Sequence, residues 1–439
     1  MTTIERVDTV VIGAGHAGLA ASRLLTDAGR DHVILDRGGI GERWRTERWD
    51  SLHLLTPSWM TRLPGWAYDG PDPDGFLSAP EFVRTLQRYA ASFDAPVVRE
   101  SRVLSVSRRR GCYEVVTERS TWRARHVVVA TGPHGTPYIP PALDTLADVE
   151  VVTSNRYRNP AQLAPGGVLV VGASSSGVQI ADELVRAGRE VVLSVGRHTR
   201  MPRRYRGMDV FWWLERTGRT ARTIDEMPDP SAARREPSLQ LVGRNGPDRV
   251  PQDLDLVSLN LRGVRLTGRL LASAGKVVTF AEDLPSSVVA AERRMHRFLD
   301  DVDRHIDRSG LEAEVWPADR PRDFEVVRAP TRLHLGAERI GTVLLATGYR
   351  PDHSWIDLPV TGPDGSVRQY RGVTDAPGLY VVGQRFQHRR DSGFIDGARH
   401  DVHAVVTHLL TGSLPDKGAG PRSAWEAGSA DPADEGRAA

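Results

Sequence analysis

Two short loops of small residues carry most of the chemistry this chain can perform. The first reads Gly13-Ala14-Gly15-His16-Ala17-Gly18, a GxGxxG spacing placed after the apolar run Thr9-Val10-Val11-Ile12 and before a helix-period stretch containing Leu19, Leu24 and Leu25. In that setting Gly13 permits a tight turn, Gly15 lets the backbone approach a pyrophosphate, and Gly18 lets helix and strand pack closely, with the helix N-terminus facing the phosphate charge. Asp36 ends the next apolar run, 18 residues beyond Gly18, where a carboxylate accepts hydrogen bonds from ribose hydroxyls. The second loop reads Gly172-Ala173-Ser174-Ser175-Ser176-Gly177, with serine in place of the middle glycine. No acid ends its second strand; Arg197 stands there, followed by Arg200, Arg203 and Arg204. Arginine suits a ribose 2′-phosphate where an acid would bind a free 2′-hydroxyl, so this loop predicts NADPH over NADH. One dinucleotide site with an acid and one with arginines imply a bound flavin and a visiting nicotinamide, with hydride transfer from NADPH to FAD.

Two rival readings of these residues are weaker. Ser175 lies one residue short of a G-x-S-x-G nucleophile elbow, but a serine hydrolase has no role for the first loop, for Asp36 or for the arginines. His400, His403 and His408 fall on one predicted helix, yet spacings of three and five without a carboxylate third ligand predict no metal site.

The elements that must position these loops recur in order: strand, small-residue turn, helix, strand, once from Asp8 and again from Gly167. Two further strands each end in Ala-Thr-Gly, at Ala130, Thr131 and Gly132 and at Ala346, Thr347 and Gly348, and a last buried strand, Gly378 to Gly383, precedes a helix from about Phe394 to Leu410. The order predicts an α/β fold of two Rossmann-like dinucleotide-binding domains, the NADPH domain inserted into the FAD domain. Boundaries follow: 1–160 and 336–412 for the FAD domain, 161–335 for the insert, and 413–439 as a disordered tail rich in Gly, Pro, Ala and Ser. The segment Ser287 to Ser309 predicts an amphipathic helix over a sheet through Met295, Leu299, Val302 and Ile306.

Composition narrows the function classes. A chain of 439 residues, at ~150 per domain, predicts two or three domains. The 58 basic and 56 acidic residues leave a net charge of +2, too balanced for nucleic acid or an anionic membrane as main partner. Cys112 is the single cysteine, so a dithiol relay and intramolecular disulfides are excluded. No apolar run approaches the ~20 residues of a membrane span, and Glu5 and Asp8 interrupt the segment where a signal peptide needs an apolar core, which predicts a cytoplasmic protein.

Taken together, the stretches VVIGAGHAGLA, GERWRTERWDSLHLLTP, VVVATG, YRNPAQLAPGGVLVVGASSSGVQIA, LLATGYRP and GLYVVG are similar to those of the flavin-containing monooxygenases and their bacterial relatives, over about residues 5 to 412. The resemblance implies tightly held FAD, reduction by NADPH, and a C4a-(hydro)peroxyflavin that oxygenates amines, sulfides or carbonyls, the last in the Baeyer–Villiger sense, or that hydroxylates. Carried onto this chain, it implies FAD contacts from Gly13, Gly15, Gly18, Asp36, Arg37, Trp44, Arg45, His53, Ala130, Thr131, Gly132 and Gly383. It implies NADPH contacts from Gly172, Ser174, Ser175, Ser176, Gly177, Arg197 and Arg200. Two departures stand out. The family stretch F-x-G-x-x-x-H-x-x-x-Y/F falls on Ala147, Val149, Thr153 and Tyr157, of which only Tyr157 matches, and Gln384 replaces an acid after the late flavin strand. The first departure motivates the alternative of an NADPH-dependent flavin reductase or oxidase that oxygenates nothing.

The expected partners are a small organic substrate and molecular oxygen, with no catalytic acid or base nominated because the reacting group belongs to the flavin. Trp59, Trp212, Trp213 and His388 are the candidate substrate contacts, and the polar segment FQHRRDSGFIDG is read as flexible, passing near the flavin. A homodimer is the base-rate expectation.

Overall fold

The computed structural model describes residues 3–245, 251–326 and 329–415; from residue 416 onward the expected tail lies outside them. The chain opens into β1 (Thr9–Ile12), α1 (His16–Asp27) and β2 (His32–Leu35), and completes this first unit with β3 (Val97–Val98) and β4 (His126–Val129). The second unit runs β5 (Glu150–Thr153), β6 (Gly167–Val171), α2 (Ser175–Arg186), β7 (Val191–Ser194), α3 (Val210–Arg216), β8 (Arg265–Thr267), α4 (Leu284–Ser309) and β9 (Ile340–Leu345). The chain then returns to the first unit with β10 (Leu379–Val381) and α5 (Ile395–Thr411).

Each unit is built on a five-stranded parallel sheet, in the order β10-β4-β1-β2-β3 and β5-β9-β6-β7-β8. Parallel sheets need cover on both faces, which is why β1 and β6 are buried at every position and, Thr9 apart, carry no polar side chain. On one face of the first sheet Val11 and Val128 pack with Leu19 and Leu25 of α1 and Val402 and Val405 of α5. On the other, Val10, Ile12, Val127 and Val129 meet Tyr113 and Val115 of a sheet that is antiparallel over residues 103–124 and is joined in parallel by residues 3–6.

The interrupted-domain reading holds, with one correction. β5 and β9 both pair within the second sheet, so the insert extends beyond the expected 161–335 to include Glu150 at one end and Leu345 at the other. β5 at the edge and β9 inside this sheet fall outside the expected bounds because an isolated apolar run does not state which sheet it will join. Chain entry and exit lie side by side, since Thr136–Pro137 pairs antiparallel with Tyr349–Arg350.

Helix α4 also departs in part from its expected role. Its first turns, with Leu284 and Val288, pack on Val191 and Leu193 of the second sheet. Farther along, Met295, Leu299, Val302 and Ile306 leave the sheet and pack against Met201, Tyr205, Phe211 and Trp213.

Candidate functional site

The three glycines of the first loop occupy three different environments. Gly13 has φ of +110°, and a Cβ there would lie 2.7 Å from the carbonyl oxygen of Ala130. At Gly18 a Cβ would run into the carbonyl of Gly13, so this residue closes α1 onto the strand. Above Gly15 no atom lies within 4 Å of the Cβ position, leaving open space over the N-terminus of α1. Asp36 braces the loop: its Oδ2 accepts from Ala14 N at 2.8 Å and its Oδ1 from Gly38 N at 2.9 Å. Burial raises its pKa while these two amides pull the other way. Each oxygen keeps a second lone pair for an incoming hydroxyl.

The second loop repeats the construction. Gly172 has φ of +107°, a Cβ there would lie 2.5 Å from Ala346 O, and a Cβ on Gly177 would strike Gly172 O. Ala130 and Ala346 are thus equivalent, and the repeated Ala-Thr-Gly is the backbone against which each loop turns. Where Asp36 ends β2, buried Val195 follows β7, and Arg197 comes two residues later.

Both loops open on one cavity of about 1400 Å³. Its wall includes Gly13, Gly15, Asp36, Arg37, Trp44, His53, Ala130, Thr131, Gly132 and Gly383 from the first unit, and Ser175, Ser176 and Arg197 from the second. Ser174 caps α2 behind the wall, and Gly18, Gly172 and Gly177 sit behind it as packing positions.

Several expected contacts point elsewhere. Arg45 turns outward to pair with Glu42. Arg200 is buried and held at 2.8 Å by both Asp255 and Glu292, so its guanidinium is neutralised away from the cavity. Trp59 stacks with Arg62. Trp213 is fully buried and donates from Nε1 to Tyr205 O at 2.7 Å, with Trp212 edge-on to it at 4.6 Å. His388 is buried, its carbonyl accepting from Ile224 N. None of these four candidate substrate residues lines the cavity; helix α3 presents Phe211 and Leu214 instead, and Phe394 stands edge-on to Phe211 at 5.7 Å. Nor is the 386–397 segment a solvated loop: Gln387, Asp391, Ser392 and Asp396 are buried, with Asp391 bound to Arg389 and Asp396 to Arg62 and Arg399.

Other wall residues carried no signal of their own in the sequence. His16 is half-buried with its Nε2 out of solvent and unpartnered, and desolvation lowers its pKa to about 4. His134 packs edge-on to Tyr349 at 4.8 Å, and burial together with the facing Arg48, Arg43 and Arg385 lowers its pKa to about 3. Both imidazoles are therefore neutral at physiological pH. The wall carries 12 arginines against 7 carboxylates. Two helix N-termini, an open glycine cradle and this excess of guanidinium fit the pyrophosphates of two dinucleotides. Among the described residues no His, Cys, Asp or Glu cluster can hold a metal ion, and no helix is long and apolar enough to cross a membrane.

Comparisons with known proteins agree with this geometry. Residues 10–214 match the pyridine nucleotide-disulphide oxidoreductase family. The chain is 33% identical to an uncharacterized CzcO-like oxidoreductase of Geobacillus kaustophilus, over 92% of this chain and 98% of that one. It is 30% identical to the probable indole-3-pyruvate monooxygenase YUCCA1 of Arabidopsis thaliana over 46% of this chain and 50% of that one. A flavin-containing monooxygenase from Stenotrophomonas maltophilia superposes with a TM-score of 0.64 at 22% identity, covering 93% of this chain and 100% of that one. Full-length likeness to the CzcO-like relative shows that this chain belongs to the CzcO-like oxidoreductases, and the two glycine loops on one cavity fit a flavin and a nicotinamide cofactor.

Proposed function

We propose that the protein is an FAD-dependent, NADPH-consuming monooxygenase acting on a small organic substrate. The observation that carries this reading is the single cavity onto which both glycine loops open, since hydride transfer requires the two cofactors to meet. FAD is assigned to the first loop: the space over Gly15 and the N-terminus of α1 receive its pyrophosphate, and Asp36 accepts from its ribose. NADPH is assigned to the second, with Ser175 and Ser176 at its phosphates and Arg197 at the 2′-phosphate. The flavin, when bound and reduced, supplies the electrons for dioxygen chemistry.

The chain's own contribution is orientation and exclusion of water. Leu54, Leu55, Phe211, Leu214 and Phe394 give part of the wall an apolar surface, which limits water access. His134 and His16 stay neutral, so neither is a ready proton donor at neutral pH. The alternative, an NADPH-dependent flavin reductase or oxidase, has one observation in its favour. In the stretch that departs from the family pattern, Thr153 is bound to Asn155 and Tyr157 to Glu183, and of residues 147–157 only Ser154 reaches the cavity.

Stopped-flow spectroscopy separates the two. Enzyme reduced by NADPH without oxygen and then mixed with aerated buffer, with and without candidate amines, sulfides and ketones, is expected to pass through a transient near-ultraviolet species before the oxidised flavin spectrum returns. Direct return in every case, with one hydrogen peroxide formed per NADPH, would establish the reductase or oxidase.

A further inference from the structure

Three guanidiniums converge at the edge of the cavity beside the second loop. Arg197 leaves the end of β7, whereas Arg294 and Arg297 stand one turn apart on α4, about a hundred residues later in the chain, and all three line the wall with Ser175, Ser176 and Gln179. The two elements are tied together. Ser287 at the start of α4 donates to Gly196 O at 3.0 Å, and Arg294 donates from a terminal nitrogen to His198 O at 2.5 Å. Arg294 is thereby fixed beside the loop that carries Arg197, while its own Nε is buried with no hydrogen-bond partner.

Such an arrangement is unfavourable without a ligand. No carboxylate pairs with any of the three among the described residues; Glu236, the acid that faces Arg294, is engaged by Arg390. Arg297 makes only a 3.3 Å contact to Arg293 O. Burial and the facing Arg197 and Arg297 lower the pKa of Arg294, the signature of like charges held together. An anion of charge near −2 with several acceptor oxygens relieves that repulsion, and a phosphomonoester has that charge and those acceptors.

The geometry points to a phosphomonoester clamp made by Arg197, Arg294 and Arg297 that reads the 2′-phosphate of the nicotinamide coenzyme, with helix α4 supplying two of its three arms. Arg200, a contact that the resemblance implies, takes no part because Asp255 and Glu292 hold it. The inference rests on the assignment of the second loop to NADPH but not on oxygenation.

Titration calorimetry on the purified flavin-loaded protein tests it without turnover. The probes are adenosine 2′,5′-bisphosphate, adenosine 5′-monophosphate and inorganic phosphate. The bisphosphate is expected to bind at least about tenfold more tightly than the monophosphate, and Arg294→Gln and Arg297→Gln each to cut that preference about tenfold or more while leaving the monophosphate unchanged. Arg297→Gln keeps the Arg294 to His198 bond, so its result stands even if Arg294→Gln loosens the loop. No preference for the bisphosphate in the parent protein, or equal losses for both nucleotides in Arg297→Gln, would overturn the clamp. Inorganic phosphate competing as well as the bisphosphate would assign the arginines to a phosphorylated substrate and overturn the coenzyme role. Failure of the stopped-flow test leaves each of these outcomes readable.

Discussion

Gly15 and Gly18 look alike in the sequence and differ in kind in the structure. A side chain at Gly15 enters empty space, so Gly15→Val is expected to fold with parental stability and purify without flavin, because its methyls occupy the pyrophosphate cradle. A fully yellow Gly15→Val protein would contradict the assignment. Gly18→Ala instead presses on Gly13 O and is expected to cost about 2–3 kcal/mol in urea unfolding. Arg197→Ala is expected to raise the KM for NADPH about 10- to 100-fold with little change for NADH, the loss of a charged hydrogen bond worth ~1.5–3 kcal/mol. Equal changes for both coenzymes would show that Arg197 does not read the 2′-phosphate. At this scale the sequence exposes what is local. Gly13, Gly18 and Asp36 declare their roles by spacing, but Arg197 and Arg200 are indistinguishable as letters until Asp255 and Glu292 arrive from other elements to claim one of them. Arg294 and His134 have no motif at all and reach the cavity only through tertiary packing.

Helix and strand periodicity made α1, α2, α4 and the two sheets readable, because each buries a continuous apolar face. Polarity misled at the segment before α5. Its charges imply a solvated loop, yet Asp391 is buried against Arg389, and Asp396, in the first turn of α5, binds Arg62 Nε at 2.7 Å and Arg399 Nε at 2.8 Å. Arg62 also reaches Glu215 on α3 at 3.1 Å, so one guanidinium ties α5 of the first unit to α3 of the second. Asp396→Ala takes the buried carboxylate from both Arg62 and Arg399 and leaves Arg62 only its Glu215 contact, an expected loss of about 3 kcal/mol in denaturant unfolding. A change below about 0.5 kcal/mol would mean that the pairs are solvent-screened. Aromatic residues misled in the opposite sense. Trp212 and Trp213 look like pocket residues by type, but α3 turns Trp213 into the core and offers Phe211 and Leu214 to the cavity.

The whole molecule carries a pH dependence set by its buried titratable groups. His16 and His134 are neutral in the fold, with pKa values of about 4 and about 3 against an ordinary 6.5. In the unfolded chain each binds a proton below pH 6.5, so unfolding takes up protons and stability falls as pH drops from 6.5 toward 4, by about 1.4 kcal/mol per unit per histidine. Asp401 opposes them: burial lifts its pKa to about 7, so it is protonated in the fold across that window, and unfolding releases its proton. His134→Gln is expected to flatten the loss of stability between pH 6.5 and 4.5, measured by urea unfolding at fixed ionic strength; parallel profiles would show that His134 does not titrate in this way.

The paired segments Thr136–Pro137 and Tyr349–Arg350 bear on how such a chain can be taken apart. Because the polypeptide leaves and re-enters the first unit at adjacent, antiparallel positions, a turn of a few residues from Pro137 to Tyr349 would bypass the intervening stretch while the order β10-β4-β1-β2-β3 stays intact. The second unit is in this sense a guest in a host, and a single in-frame deletion across these adjacent segments leaves a host with one glycine loop.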